Sequence, residues 1–139
     1  MPKPVKYVRS VVSYIDILGF RELIDTRTAG DISRILRILA ESIAPSKSEA
    51  ELFFGNKKPP FTKFSDTVIR SVPIPETRKV EFLFELEHLT TAQIALLSEN
   101  IVIRGAVTIG DIVQSWGIVY GPAVVRAYEW RTKKAHLPE

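Results

Sequence analysis

The chain has 139 residues, of which 45% are hydrophobic and 25% charged, the balance of a soluble domain with one core. It has no cysteine, which excludes disulfides and thiolate metal sites and makes the reducing cytosol the expected compartment. A net charge of +3 is mildly basic; it suits an anionic ligand such as a nucleotide but forms no strong basic stripe of the kind nucleic-acid binding needs.

Val5 to Asp16 reads as the first strand. Its apolar run VVSYIDILGF, Val11 to Phe20, contains one carboxylate, Asp16, and then a glycine. Val, Ile and Tyr favour a strand, and an unbroken apolar run suits one covered on both faces. A charge in such a run is costly unless paired. Asp16 therefore either faces solvent at the mouth of the sheet or holds a cation. Gly19 marks a turn. Phe20, Leu23 and Ile24 recur at helical spacing, Thr28-Ala29-Gly30 breaks that helix, and Asp31 can cap a second. Ile32, Ile35, Leu36, Leu39 and Ile43 form its amphipathic stripe. Pro45 to Ser48 ends it, Glu49 to Gly55 is ambiguous, and Asn56 to Pro60 is a loop.

Phe61 to Asp66 and Thr67 to Val72 read as two strands meeting at a Ser-Asp tip, closed by Pro73 and Pro75. Lys79 to Glu99 is the clearest helix; Phe82, Leu86, Leu89 and Leu96 keep its spacing and its charges gather at the start. Ile101 to Ile109 is a strand, and Asp111 to Gln114 leads into a turn at Ser115-Trp116-Gly117, where Asp111 has a turn role or orients a loop. Ile118 to Tyr120 returns as a strand. Gly121-Pro122 opens a last helix with Pro at its first position, running from Ala123 to Arg131. Lys57-Lys58 and the basic run from Arg131 to Lys134 read as solvated loop and tail. No apolar run is long enough to cross a bilayer, and the basic N-terminus lacks a signal-peptide cleavage pattern.

The order is β-α-β-β-α-β-β-α. Its first six elements match the ferredoxin-like βαββαβ pattern, an α+β fold with a mainly antiparallel sheet and helices on one face. Residues 1–139 read as a single domain, and the stop soon after the last helix leads to the expectation of a fragment or a missing C-terminal hairpin. In such a sheet the first strand lies beside the central hairpin, which brings Asp16 and Asp66 together. Two carboxylates about 4 Å apart repel by about 4 kcal/mol at an effective dielectric near 20. A divalent cation removes that penalty, and oxygen ligands suit Mg²⁺ or Mn²⁺. Gly19 and Phe20 follow at a helix start, where free amides can hold phosphate oxygens. Together these residues make a nucleoside-triphosphate site plausible.

Three segments resemble a known family. Tyr14-Ile15-Asp16-Ile17-Leu18-Gly19-Phe20 is similar to the first metal motif of class III nucleotidyl cyclases, Phe64-Ser65-Asp66 to their second, with Ser65 in place of the usual Gly, and RGAVTIG, Arg104 to Gly110, to the strand that follows. Tyr120-Gly121 and the helix after it resemble their final catalytic helix. The set looks most like the pyrimidine cyclases of bacterial anti-phage (Pycsar) systems. The resemblance implies cyclisation of UTP or CTP, UTP favoured, to the 3′,5′-cyclic monophosphate plus pyrophosphate, as a defence signal. It implies two divalent ions per site, Mn²⁺ or Mg²⁺, held by Asp16, Asp66 and the Ile17 carbonyl, phosphates on the Gly19 and Phe20 amides, and a homodimer with composite sites. The Asn and Arg that purine cyclases carry on the last helix align with Val125 and Glu129, so Arg126 and Arg104 are the candidate catalytic cations. The Lys and Asp that read adenine align with Thr62 and Ile118, the candidate base contacts. Those departures mark either another base or a site without activity. The rival readings are a non-catalytic nucleotide-binding or dimerisation module, a purine cyclase, and a polymerase-like palm, which the lack of a basic stripe disfavours.

Other motifs carry less. Gly105 to Gly110 has the glycine spacing of a P-loop, but Asp111 replaces its Lys. His88 and His136 form no ligand cluster, Ser10, Ser13 and Ser65 have no neighbouring base, and Trp116 and Trp130 suit packing or dimer contacts.

Overall fold

The computed structural model describes residues 3–43, 61–74, 80–115 and 118–133. Expectations for Pro45 to Pro60, Pro75, Lys79, Trp116, Gly117, Lys134 and His136 lie outside the described residues. Strand β1 (Val8–Ile17) is followed by helices α1 (Phe20–Thr26) and α2 (Ala29–Ile43). A hairpin of β2 (Phe61–Phe64) and β3 (Thr67–Pro73) precedes helix α3 (Val80–Leu97). Strands β4 (Ile103–Ser115) and β5 (Ile118–Tyr120) lead to helix α4 (Pro122–Thr132). The order in the sheet is β2-β3-β1-β4-β5, and each neighbouring pair is antiparallel. This is the mixed α+β fold with an antiparallel sheet that the pattern of elements predicts.

The period-2 alternation of a strand divides β1 between two cores. Val11, Ser13, Ile15 and Ile17 point to α2 and α3, where Ile17 and Val68 pack with Ile35, Leu39, Ala92 and Leu96. Ser10, Val12, Tyr14 and Asp16 point to the opposite face, where Val12 and Ile112 pack with Ala123. The ferredoxin-like core therefore keeps α2 and α3 on one face, and α4 covers the other. Tyr14 meets Tyr128 edge-on at 5.8 Å, so α4 runs along β1 in the same direction.

Several local details differ from the sequence expectations. The cap of α2 is Thr28, whose hydroxyl accepts a hydrogen bond from the Asp31 amide at 3.2 Å, so Asp31 sits inside the first turn and is not the cap. The stripe of α3 is rotated: Glu81, Glu85, Ala92 and Leu96 are buried, whereas Leu86 is exposed. Burial of Glu85 is possible because Ser13 donates a hydrogen bond to it at 2.7 Å and Arg70 lies 3.3 Å away. Arg70 also donates to the Ile43 carbonyl at the end of α2. Hydrophobic spacing alone does not reveal such a buried ion pair.

β4 continues through Asp111 to Ser115, where a lead into a turn was expected, and Asp111 pairs with Arg9 in the ladder. Its far end curls over the α4 face. There Gln114 donates hydrogen bonds to Thr62 at 2.8 Å and to the Ile69 carbonyl at 3.0 Å, and accepts one from Ser71 at 2.7 Å. Two glycines permit the close approaches. A Cβ on Gly105 would lie 2.1 Å from the Tyr14 carbonyl oxygen. Gly121, the cap of α4, has φ +139° and faces the Asp111 carbonyl. Among the described residues no helix is long and apolar enough to cross a membrane.

Candidate functional site

The antiparallel register decides what surrounds Asp16. Ile15 lies opposite Val68, so the next positions of β1 run into the tip of the β2–β3 hairpin. That tip is tight, with Ser65 at φ +55°. The Asp66 carboxylate turns back onto β1 and accepts a hydrogen bond from the Ile17 amide at 3.1 Å. The two acidic residues singled out in the sequence thus sit at the same end of neighbouring strands, joined through the peptide that links Asp16 to Ile17.

Asp16 is only 2% exposed. Its cross-strand partner in β4 is Arg104, whose Nε donates to Oδ1 at 2.9 Å. From the other side Arg131, in the last turn of α4, makes an ion pair with Oδ2. Residues two apart on a strand share a face, and so do residues three apart on a helix. Tyr14 and Asp16 accordingly meet Tyr128 and Arg131 as successive rungs. This corrects the reading of Arg131 as solvated tail: its side chain is 21% exposed and its buried Nε has no hydrogen-bond partner. The helical spacing from Tyr128 to Arg131 carried the signal, but nothing in the sequence says that α4 lies over β1.

Gly19 caps α1 in the left-handed conformation, φ +72°, with open space where a side chain would be. The Leu18 amide donates to the Val102 carbonyl at 2.8 Å, which ties this turn to the strand-entry segment before β4. Phe20 packs partly against the α2–α3 core. Gly19 and Phe20 thus follow Asp16 at the same end of β1.

The other candidates lie elsewhere. Arg126 is exposed and donates to the Ile109 carbonyl at 3.2 Å. Ile109 is five residues along β4 from Arg104, about 17 Å at strand spacing, so Arg126 does not join Asp16 within one chain. Thr62 accepts its hydrogen bond from Gln114, and Ile118, 61% exposed, pairs with Ser115 next to Gln114. The curl of β4 brings Gln114, which the sequence reading did not single out, to Thr62, whereas Ile118 pairs with Ser115 and by strand alternation lies on the face opposite Gln114, so the structure does not bring Thr62 and Ile118 together.

The donor chemistry can be tested against a cation. Two carboxylates, Asp16 and Asp66, lie on either side of the Asp16–Ile17 peptide at one end of the sheet, and hard oxygen donors suit Mg²⁺ or Mn²⁺. Yet both oxygens of Asp16 already face guanidinium groups, and no cluster of three or more His, Cys, Asp or Glu residues occurs among the described residues. Two arginines balance two carboxylates as the site stands. The set fits a divalent cation once one guanidinium withdraws. An apolar cleft of about 510 Å³ between α3 and β4 also touches Arg104, but its wall of Leu89, Ile94 and Val107 suits no phosphate.

No protein-family model and no curated protein matches the chain. Solved structures do. The chain is similar to a bacterial light-regulated adenylyl cyclase, with a TM-score of 0.66 and 15% identity, over 96% of this chain and 74% of that one. It is similar to the guanylyl cyclase Cya2, with a TM-score of 0.63 and 14% identity, over 91% of this chain and 70% of that one. It is also similar to the monomeric guanylyl cyclase domain of the RhoGC fusion protein from the aquatic fungus Blastocladiella emersonii, with a TM-score of 0.60 and 13% identity, over 91% of this chain and 76% of that one. The chain therefore has the fold of nucleotidyl cyclase domains.

Proposed function

We propose that the chain is a metal-dependent nucleotide cyclase domain that acts as a homodimer and prefers pyrimidine triphosphates, UTP over CTP. The observation that carries this reading is the placement of Asp16 and Asp66 at the same end of a cyclase-fold sheet, with Asp66 bonded to the peptide after Asp16, followed by the Gly19 turn. In the reaction the 3′-hydroxyl oxygen bonds to the α-phosphorus, the bond from that phosphorus to the β-phosphate bridging oxygen breaks, and pyrophosphate leaves with the electron pair. The hydroxyl proton passes to solvent. Divalent cations bound at the carboxylates, two in the full site, would offset charge on the triphosphate and the leaving group.

The chain's own residues would supply the rest. Asp16, Asp66 and the Ile17 carbonyl would hold the cations, and the Gly19 and Phe20 amides would receive phosphate oxygens. Arg104 holds Asp16 in place and is exposed enough to meet phosphate as well. Arg126, remote from Asp16 in one chain, would reach the nucleotide of the partner's site. Val125 and Tyr128, three apart on one side of α4, are exposed, as is Phe64 at the hairpin tip, and such apolar side chains would suit an interface between two copies. The base would lie near Thr62, which already accepts a hydrogen bond from Gln114 and so has its own O–H left to donate to a ring carbonyl. One such hydroxyl, without the paired polar groups that adenine or guanine need, suits a small ring better. Production of a cyclic pyrimidine nucleotide as a signal in anti-phage defence is the corresponding role.

A second reading, a nucleotide-binding and dimerisation module without turnover, is favoured by one observation: both Asp16 oxygens are engaged by arginine. Incubation of the pure protein with Mn²⁺ and equal concentrations of the four nucleoside triphosphates separates the two. Cyclic UMP, with less cyclic CMP, is expected. Cyclic AMP or GMP as the main product refutes the base assignment alone. Nucleotide binding with no cyclic product establishes the second reading.

A further inference from the structure

We propose that Arg131 is a latch on Asp16: its guanidinium and a divalent cation compete for Oδ2, and cation binding releases the last turn of α4. The inference rests on the assignment of Asp16 as a cation ligand and goes beyond it by assigning a role to Arg131.

Three observations carry the idea. The first is that Asp16, nearly fully buried, has one guanidinium on each oxygen, so a cation can bind only by displacing or sharing one of them. The second is that the two arginines are not equivalent. Arg104 sits directly across from Asp16 in the penultimate rung of the β1–β4 ladder, is 47% exposed, and meets Oδ1 through an aligned Nε bond. Arg131 is more buried, and its Nε is enclosed without a partner, so part of its desolvation goes uncompensated. The third is its anchor. Arg131 lies one residue before the end of α4, where helices fray most easily, whereas Arg104 is fixed by the ladder. Arg131 is therefore the group that gives way.

Release has a structural consequence. Tyr128 and Arg131 both fasten the end of α4 to β1. Loss of one loosens the final turn and presents a free guanidinium next to the carboxylates. The latch also keeps Asp16 neutralised while no cation is bound, when two neighbouring carboxylates would otherwise repel.

The probe is Mn²⁺ alone, titrated calorimetrically into the full chain. Arg131→Met should bind Mn²⁺ roughly tenfold more tightly than wild type, because it removes a unit positive competitor. Arg131→Lys, which keeps the charge but not the fork, should fall between. Arg104→Met should change affinity by less. Equal effects of the two Met variants would mean that only net charge matters, and unchanged or weaker binding by Arg131→Met would remove the competition; either overturns the latch while leaving the cation site intact. Loss of all Mn²⁺ binding in wild type and variants alike would overturn the cation assignment and the latch together. A second measurement needs no variant. Amide hydrogen exchange at Tyr128 to Thr132 in the wild-type chain should quicken when Mn²⁺ is added, and unchanged or slower exchange there overturns the proposal even if Arg131→Met fails to fold.

Discussion

Asp16 and Asp66 have the same side-chain chemistry in different surroundings, and the difference makes their substitutions distinguishable. Asp16 is buried between two guanidinium groups, so Asp16→Ala leaves a partly buried Arg131 without its counter-charge. Breaking a fully buried pair costs about 3–5 kcal/mol; with Arg104 half exposed and Arg131 at a helix end, a loss of about 2–3 kcal/mol in urea unfolding is expected. Asp66 accepts one amide hydrogen bond at a part-exposed turn, so Asp66→Ala should cost about 1 kcal/mol. Both substitutions should abolish cyclic nucleotide formation. Equal stability of the two variants would show that the arginines do not hold Asp16 in solution.

At the scale of elements, α3 and β3 are joined by a charge pair within the core. Glu85 accepts from Ser13 in β1 and lies beside Arg70, which in turn donates to the end of α2, so one pair ties two strands to two helices. The Arg70 Nε and Glu85 Oε2 atoms are close but not aligned as a hydrogen bond. Removing one charge strands the other. Arg70→Met and Glu85→Gln should each cost about 3–5 kcal/mol, and the double variant should cost clearly less than their sum. A double-mutant cycle by thermal or denaturant unfolding measures this, and additive losses would rule out direct coupling. The same core accounts for the rotated stripe of α3. Apolar spacing pointed to Phe82, Leu86, Leu89 and Leu96; Leu96 is buried and Leu89 packs against the core, but the buried Glu81 and Glu85 lie off that spacing, because a buried Glu is an exception that only its partner explains.

For the whole molecule, the decisive relation is between the two ends of β4. Arg104 meets Asp16, while Arg126 sits over Ile109 toward the other end of the strand. The Arg126 guanidinium is thus held away from Asp16 in one chain, and in the proposed homodimer it would serve the partner's site. Mixing an Asp66→Ala chain with an Arg126→Ala chain should therefore restore part of the activity that each lacks alone, since one of the two mixed sites regains both halves. Product formation in the mixture, followed against the separate variants, measures it. Full activity of Arg126→Ala alone would leave its contact with Ile109 as its whole role.

The sequence by itself determined the elements and their order. β-branched runs, helical spacing and glycine or proline breaks are local signals, and the βαββαβ pattern that they make leaves few ways to pair β1 with the central hairpin. That was enough to bring Asp16 and Asp66 to one end of the sheet. The tertiary structure decided what local signals cannot carry. It placed α4 on the face opposite α2 and α3, which turned Arg131 from tail into partner of Asp16. It curled β4 so that Gln114 reaches Thr62, across 52 residues of chain. It also buried Glu85 against Arg70. Each of these rests on a polar contact between distant segments. Polar side chains follow no hydrophobic period, so their partners emerge only when packing has fixed which faces meet.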